Sequence, residues 1–213
     1  MPGYPPAMRI HRGLGVVLLA IAVAPQCTST EDIRVRDRGG LIADARARWM
    51  QPVSERLSLG AEAGGVHTNG DYTSPTGLED YTFGVGYAAA VLGVQARDAQ
   101  FFVRAGPAWF DFAVAGQMRT LAERGLGGMI GGEVRYAFTP TFDAFGRVHF
   151  GRRSSLVSTW GGVGLGYHPT PGVALELGYG IASNRIDEAN VFVPTDSADV
   201  ETQGLMLGVT FDF

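Results

Sequence analysis

Arginines and carboxylates recur in this sequence at a spacing of two: Asp44, Arg46 and Arg48 in ADARAR, Glu133 and Arg135 in EVR, and Arg147 beside His149 in RVH. Glu62, Arg104 and Glu176 stand singly in stretches that alternate in the same way. A period of two puts every such residue on one side of a β-strand. Guanidinium and carboxylate held together away from water form bidentate, charge-assisted pairs. The chemistry expected of this set is therefore ion pairing in an enclosed space rather than proton transfer to a substrate. Nucleophilic catalysis needs a serine or cysteine within reach of a base. The histidine runs VHTNGD at 66–71 and RVHFGRRSS at 147–155 offer His67 and His149, with Ser154 five residues beyond the latter, and no catalytic residue is expected from either. Asp187, Glu188, Asp196, Asp199 and Glu201 crowd the 183–201 stretch, but a hard cation needs its oxygens on a defined turn, and this spacing matches none. Within it, VFVP at 191–194 is expected to extend a hairpin or present an apolar patch. GLGGMIGG and GGVGLG lack the lysine and following helix of a phosphate loop. No metal and no cofactor is expected.

The elements that carry these residues read as alternating segments of about ten residues separated by turn residues, the pattern of a membrane barrel. They fall at 40–50, 56–67, 81–94, 101–113, 126–138, 142–151, 158–168, 173–182 and 202–213. Single-chain bacterial barrels close with an even number of strands. The preceding DIRVRDR, with Ile33 and Val35 alternating against Arg34 and Arg36, supplies the missing one. The expectation is an all-β, antiparallel up-and-down transmembrane barrel of ten strands, with eight as the second choice if two segments are one. Short links at 51–55, 96–100, 139–141 and 169–172 alternate with longer ones at 68–80, 114–125, 152–157 and 183–201, as turns and surface loops do in such barrels. The faces opposite the charges carry two bands of aromatics. Trp49, Phe101, Tyr136, Phe138, Phe142, Tyr167, Phe211 and Phe213 lie toward the short links; Tyr81, Phe83, Trp109, Phe150 and Tyr179 lie toward the long ones. Two such bands fit headgroup-level girdles around a hydrocarbon belt. The charged set, Asp44, Arg46, Arg48, Glu62, Arg104, Glu133, Arg135, Arg147 and Glu176, then plugs a narrow lumen. Pro107 implies a bulge in its strand, Leu92 and Val94 break the parity of theirs, and Trp160 falls on the lumen side.

Composition agrees with this. The chain has 213 residues, 31 of them Gly and 12 Phe, with a mean hydropathy of +0.07 and a net charge of −4. All 17 basic residues are arginine, and no basic footprint for nucleic acid stands out. Cys27 is the single cysteine, which excludes an intramolecular disulfide. Residues 8–27 have the layout of a secretory signal: Arg9 and Arg12, an apolar stretch from Leu14 to Ala24, then small residues. Met8 is the expected initiator, 1–27 the export segment and 28–213 the barrel domain. Two maturation routes stay open. Cleavage after Ala24 leaves Pro25 next to the cut, and lipidation at Cys27, as in a bacterial lipoprotein signal, puts Gln26 where Gly, Ala or Ser is usual.

The C-terminal GVTFDF resembles the assembly signal of outer-membrane β-barrel proteins, with Gly208, then Phe211 and Phe213 at alternate positions and an aromatic last residue. Leu207 stands where that pattern usually has a polar residue. Together with the export segment and the alternation over 31–213, the chain resembles small barrels of the OmpA/OmpX and opacity-protein type. The resemblance implies a bacterial outer-membrane location, contact with outer-membrane lipid, and recognition of Gly208, Phe211 and Phe213 by the barrel-assembly machinery. It also implies a structural, adhesive or envelope-interaction role through surface loops whose partner is unknown. A narrow pore for small solutes, a lipid-active barrel enzyme and a soluble periplasmic lipocalin-like binder are the alternatives. For the enzyme, VHTNGD shares His67, Asn69 and Gly70 with the His-x-Ser-Asn-Gly run of outer-membrane phospholipase but lacks its serine, and His149 lacks the His-x-Ser pair of lipid A deacylases.

Overall fold

A computed structural model describes residues 33–74, 77–115, 120–187 and 197–213. The export segment, with Met8 and Cys27, lies outside the described residues, as do Glu188, VFVP and Asp196. The described residues are all-β: β1 Ile33–Pro52, β2 Leu57–Ser74, β3 Gly77–Ala96, β4 Ala99–Ala115, β5 Thr120–Ala137, β6 Phe142–Arg153, β7 Leu156–Thr170, β8 Val173–Asp187 and β9 Ser197–Asp212. They form one closed barrel in chain order.

Nine strands replace the ten expected, and eight is not found either. The reason lies in β1. DIRVRDR and the segment after it are one strand, because a register shift between Asp37 and Gly40 lets the chain continue past Arg38 and Gly39 without a turn. An odd count makes the first and last strands run the same way, so the barrel is not wholly antiparallel: β1 pairs with β9 in parallel, from Ile33↔Ala198 to Arg48↔Asp212. The other eight neighbouring pairs are antiparallel. Crossing the wall along paired residues from Trp49 through Ala61, Ala90, Ala105, Ile130, Phe150, Thr159, Ser183 and Glu201 returns to β1 at Arg36. That stagger tilts the strands by roughly 40° from the barrel axis.

The parallel seam is secured at its bulge. The Tyr81 hydroxyl reaches from β3 across the interior, donates to Asp37 Oδ2 at 2.8 Å and accepts from Thr202 Oγ1 at 2.8 Å. Asp37 Oδ1 in turn accepts from the Gly39 amide at 2.9 Å. At the other end the last residue is held rather than frayed: the Phe213 amide donates to the Arg48 carbonyl at 2.9 Å, and the Asp212 amide to the Gly172 carbonyl at 2.7 Å. Gly172 has φ +83°, and a Cβ there would lie 2.6 Å from the Asp212 carbonyl oxygen, so turn and close approach both need glycine.

One end of the barrel has the connections 53–56, 97–98, 138–141 and 171–172 together with Phe213; it is called the turn end below. At the opposite, hairpin end the strands run on into the links expected as loops. Most of 68–80, 114–125 and 183–201 continues the strands, with Ser74 paired to Gly77 and Asp187 to Ser197, and β6 and β7 are joined through Ser154 and Ser155 alone.

The alternation sorts side chains as expected on most strands. Leu126, Ile130, Tyr136, Leu175, Leu177 and Tyr179 are exposed on the outside, while Met129, Glu133, Arg135 and Glu176 are buried inside. β3 is the correction. Tyr81 and Phe83, expected on the outer face, are 2% and 0% exposed and point inward with Val85, Tyr87 and Val91. Leu92 and Val94, which broke the parity, are the residues that truly face out.

Close approach of β1 to β9 depends on Gly204, where a Cβ would lie within 3.0 Å of the Gly40 backbone. Gly86 on the outer wall has nothing within 4 Å of an added Cβ. Gly204→Val is expected to lower unfolding stability in urea by about 1–3 kcal/mol through overpacking of the seam, whereas Gly86→Ala stays within about 0.5 kcal/mol of the parent.

Candidate functional site

The interior has two storeys. In the turn-end half, five arginines (Arg46, Arg48, Arg104, Arg135, Arg147) and five carboxylates (Asp44, Glu62, Glu133, Asp143, Glu176) are buried. Arg46, on β1, is the hub. Its Nη1 donates to Glu133 on β5, its Nη2 to Glu176 on β8 at 2.8 Å, and its Nε lies 3.5 Å from Asp44 Oδ1. Arg104, on β4, donates to Glu62 Oε1 at 2.8 Å and to Glu133 Oε2 at 2.6 Å. Arg147, on β6, donates to Asp44 Oδ2 at 2.9 Å and also to Glu176. Arg135 pairs with Glu176, lies 3.1 Å from Glu133 Oε1 and reaches Asp143 Oδ2 at 3.4 Å. Glu62 also accepts from the Tyr87 hydroxyl at 2.7 Å, and Glu176 from Thr210 Oγ1 at 3.2 Å.

Every residue of the expected lumen set, Asp44, Arg46, Arg48, Glu62, Arg104, Glu133, Arg135, Arg147 and Glu176, thus stands in this layer. Toward the turn end, Arg48 Nε donates to Asp212 Oδ1 at 2.7 Å and its guanidinium lies 3.9 Å from the Phe102 ring centroid; Arg147 lies 4.3 Å from that of Phe145. Room for such long side chains comes from bare wall. A Cβ on Gly64 would fall 2.8 Å from Arg46 Cγ, and one on Gly208 would fall 2.7 Å from Glu176 Oε2. The side chains of Arg46, Arg104, Glu62, Glu133 and Glu176 have no exposed area.

The hairpin-end half is mostly apolar, with Thr68, Ser158, Asn184 and Thr202 also buried in it. Trp160 packs edge-on to Phe83 at 6.3 Å and to Phe110 at 6.4 Å, and His149 stacks on it at 5.2 Å. Val35, Phe112, Val114, Leu156, Ile186 and Val200 continue this core toward the hairpins. Sequence reasoning missed Asp143 and Tyr87 in the ionic layer and nearly all of this aromatic core. The signal for the latter was the small outer face of β3, Gly84, Gly86, Ala88 and Ala90, which left the bulky residues nowhere to go but in.

Among the described residues, neither His67 nor His149 makes a hydrogen bond to a serine. His149 Nε2 lies 3.2 Å from Arg104 Nη1, which can only donate, so that nitrogen accepts. His149 is 1% exposed, whereas Ser154 sits in the exposed β6–β7 turn. His67 is exposed on the outer wall. Among the described residues, no three His, Cys, Asp or Glu side chains come together to hold a metal. On the outer face of β9, Phe211 and Phe213 are 41% and 76% exposed, with Gly208 on the inner face. Comparison with known protein families, curated proteins and solved structures finds no match to this chain.

The two storeys respond differently to substitution. Asn184 and Ser158, adjacent on β8 and β7, are 0% exposed and their side-chain polar atoms have no hydrogen-bond partner. Asn184→Leu is expected to raise stability by about 1 kcal/mol by removing unpaired buried groups. Arg46→Met strands Glu133 and Glu176 beside fewer cations and is expected to cost about 3–5 kcal/mol. Equilibrium denaturation of the two variants beside the parent measures both.

Proposed function

We propose that this protein is a plugged bacterial outer-membrane β-barrel, with a structural, adhesive or envelope-interaction role carried by the strand extensions and hairpins of its hairpin end. One observation carries the reading. The large apolar side chains on the outside, such as Leu126, Ile130, Leu165 and Leu177, are 55–67% exposed, while the interior encloses ten charged residues. Water favours the reverse arrangement, and lipid favours this one. The outer apolar face runs from Phe101 to Trp109 on β4 and from Val173 to Ile181 on β8. About nine residues of tilted strand is the length that crosses a hydrocarbon band. Aromatics edge it: Trp49, Phe101, Tyr136, Phe142, Tyr167 and Phe211 at the turn end, Trp109, Phe150 and Tyr179 at the other.

In this reading residues 1–27 direct export, and Gly208, Phe211 and Phe213 engage the assembly machinery. The turn end faces the periplasm. The ionic plug and the aromatic core above it close the lumen to solutes, which sets this reading above the pore.

The membrane location is checked by cell fractionation with a gel assay. The protein is expected in the outer-membrane fraction, with unheated samples migrating apart from boiled ones; release into the soluble periplasmic fraction would sink the proposal in favour of a soluble binder. Purified protein in planar bilayers is expected to give no stepwise conductance. The odd strand count puts the start of β1 and the end of β9 at opposite ends of the barrel, so labelling from outside the cell tests the orientation proposed. In intact cells, a membrane-impermeant maleimide should label Arg38→Cys, near the hairpin end, and spare Glu55→Cys in a turn, each read against the parent background from Cys27.

A further inference from the structure

Basic residues at the hairpin end of the outer wall differ in how they are satisfied. Arg124 donates to Asp111 Oδ2 across the β4–β5 pair at 2.6 Å. Arg152 has no such neighbour. It stands exposed on the outer face of β6, two residues beyond Phe150, and makes no hydrogen bond or ion pair among the described residues. Its paired residue on β5 is Gly128, where an added Cβ would meet nothing within 4 Å, and on β7 it is Val157. Around Gly128 the wall stands up: Leu126 is 67% exposed, Ile130 55%, Phe150 52% and Val157 46%. The result is a shallow apolar notch with one unpaired guanidinium at its outer lip.

That juxtaposition has a chemistry. An acyl chain fits a notch floored by glycine and walled by aliphatic and aromatic side chains. A guanidinium at the headgroup level binds phosphate in a bidentate way and loses little hydration in doing so. Resting on the membrane reading above, we propose that Gly128 and Arg152 form a binding site for a phosphate-bearing glycolipid of the lipid A class, from the leaflet at the hairpin end. An acyl chain lies along the notch and the phosphate sits on Arg152. Charge complementarity selects the occupant: the Arg152 guanidinium has no carboxylate partner among the described residues, and a phosphate monoester offers it two acceptor oxygens. The side of the barrel selects the source, because the turn end bearing Phe213 is the periplasmic one in that reading.

The test uses the full chain in phosphatidylcholine nanodiscs doped with diphosphoryl lipid A, with native mass spectrometry counting retained lipid. The parent should retain lipid A over phosphatidylcholine, and fully dephosphorylated lipid A should lose that preference. Arg152→Gln should lower retention about tenfold, the worth of one charge-assisted contact. Gly128→Leu, which fills the notch and leaves the charge, should lower it several-fold. Arg124→Gln, and Arg97→Gln at the turn end, should leave it unchanged. Equal retention by Arg152→Gln and parent would overturn the site, and so would displacement by excess inorganic phosphate, which would mark a free-anion site instead. Heat-modifiable gel mobility of every variant separates the two levels: if it is kept without lipid A preference, the inference fails alone; if the parent lacks it, the membrane reading falls and takes the site with it.

Discussion

Ten charged side chains enclosed by a sheet of nine strands have no bulk water to solvate them, so each must find its counter-charge inside the ring. An isolated ion in such surroundings costs many kcal/mol, and the cost is offset only when partners come with good geometry. Arg46 meets this by bridging Glu133 and Glu176 from strands far apart in sequence, Arg104 by joining Glu62 to Glu133, and Arg147 by joining Asp44 to Glu176. Because the bonds cross the lumen, they tie opposite walls together. The bare wall at Gly64 and Gly208 belongs to the same constraint, since a methyl group at either place would collide with a hub residue.

Closing the ring raised a second problem. An odd number of strands leaves a parallel seam, and parallel pairing is slightly weaker per residue than antiparallel. The bulge between Asp37 and Gly40 sits within it. Tyr81, reaching across from β3 to Asp37 and Thr202, reinforces the seam where the ladder is interrupted. At the far end the same seam is anchored by Phe213, whose amide bonds to Arg48, the residue that also holds Asp212 through its side chain. Terminus and ionic layer are thus one structure. The aromatic ending that resembles an assembly signal also completes the last rungs of the seam.

The division of the interior into an ionic and an apolar storey shapes the wall around it. In the turn-end half, polar inside and apolar outside give clean alternation, as on β5 and β8. In the hairpin-end half the inner face is mostly apolar too, and on β3 the contrast between faces reverses in bulk: Tyr81, Phe83 and Val85 inside, Gly84, Gly86 and Ala88 outside. One storey is filled by paired charges and the other by packed rings. The unpaired Arg152 lies where the outer wall and the hairpin end join.

Local pattern was enough to read the class of fold, the inward-facing charges and the outward aromatics of most strands, because period-two alternation is a property of each strand alone. Asp44, Arg46 and Arg48 share a face whatever their neighbours are. Strand count was not legible in the same way. Whether DIRVRDR turns back or runs on into β1 depends on a bulge that only pairing with β9 stabilises, and β9 lies at the other end of the chain. The face of Tyr81 and Phe83 was hidden for a related reason: from Tyr81 to Val94 both sides of that strand are free of charge, so polarity could not tell inside from outside, and the bare wall at Gly70 facing Tyr81 and the packing of Phe83 on Trp160 did. Which carboxylate each arginine would take, with Asp143 and Tyr87 joining them, was settled by barrel width and stagger, quantities that exist only once all the strands have closed.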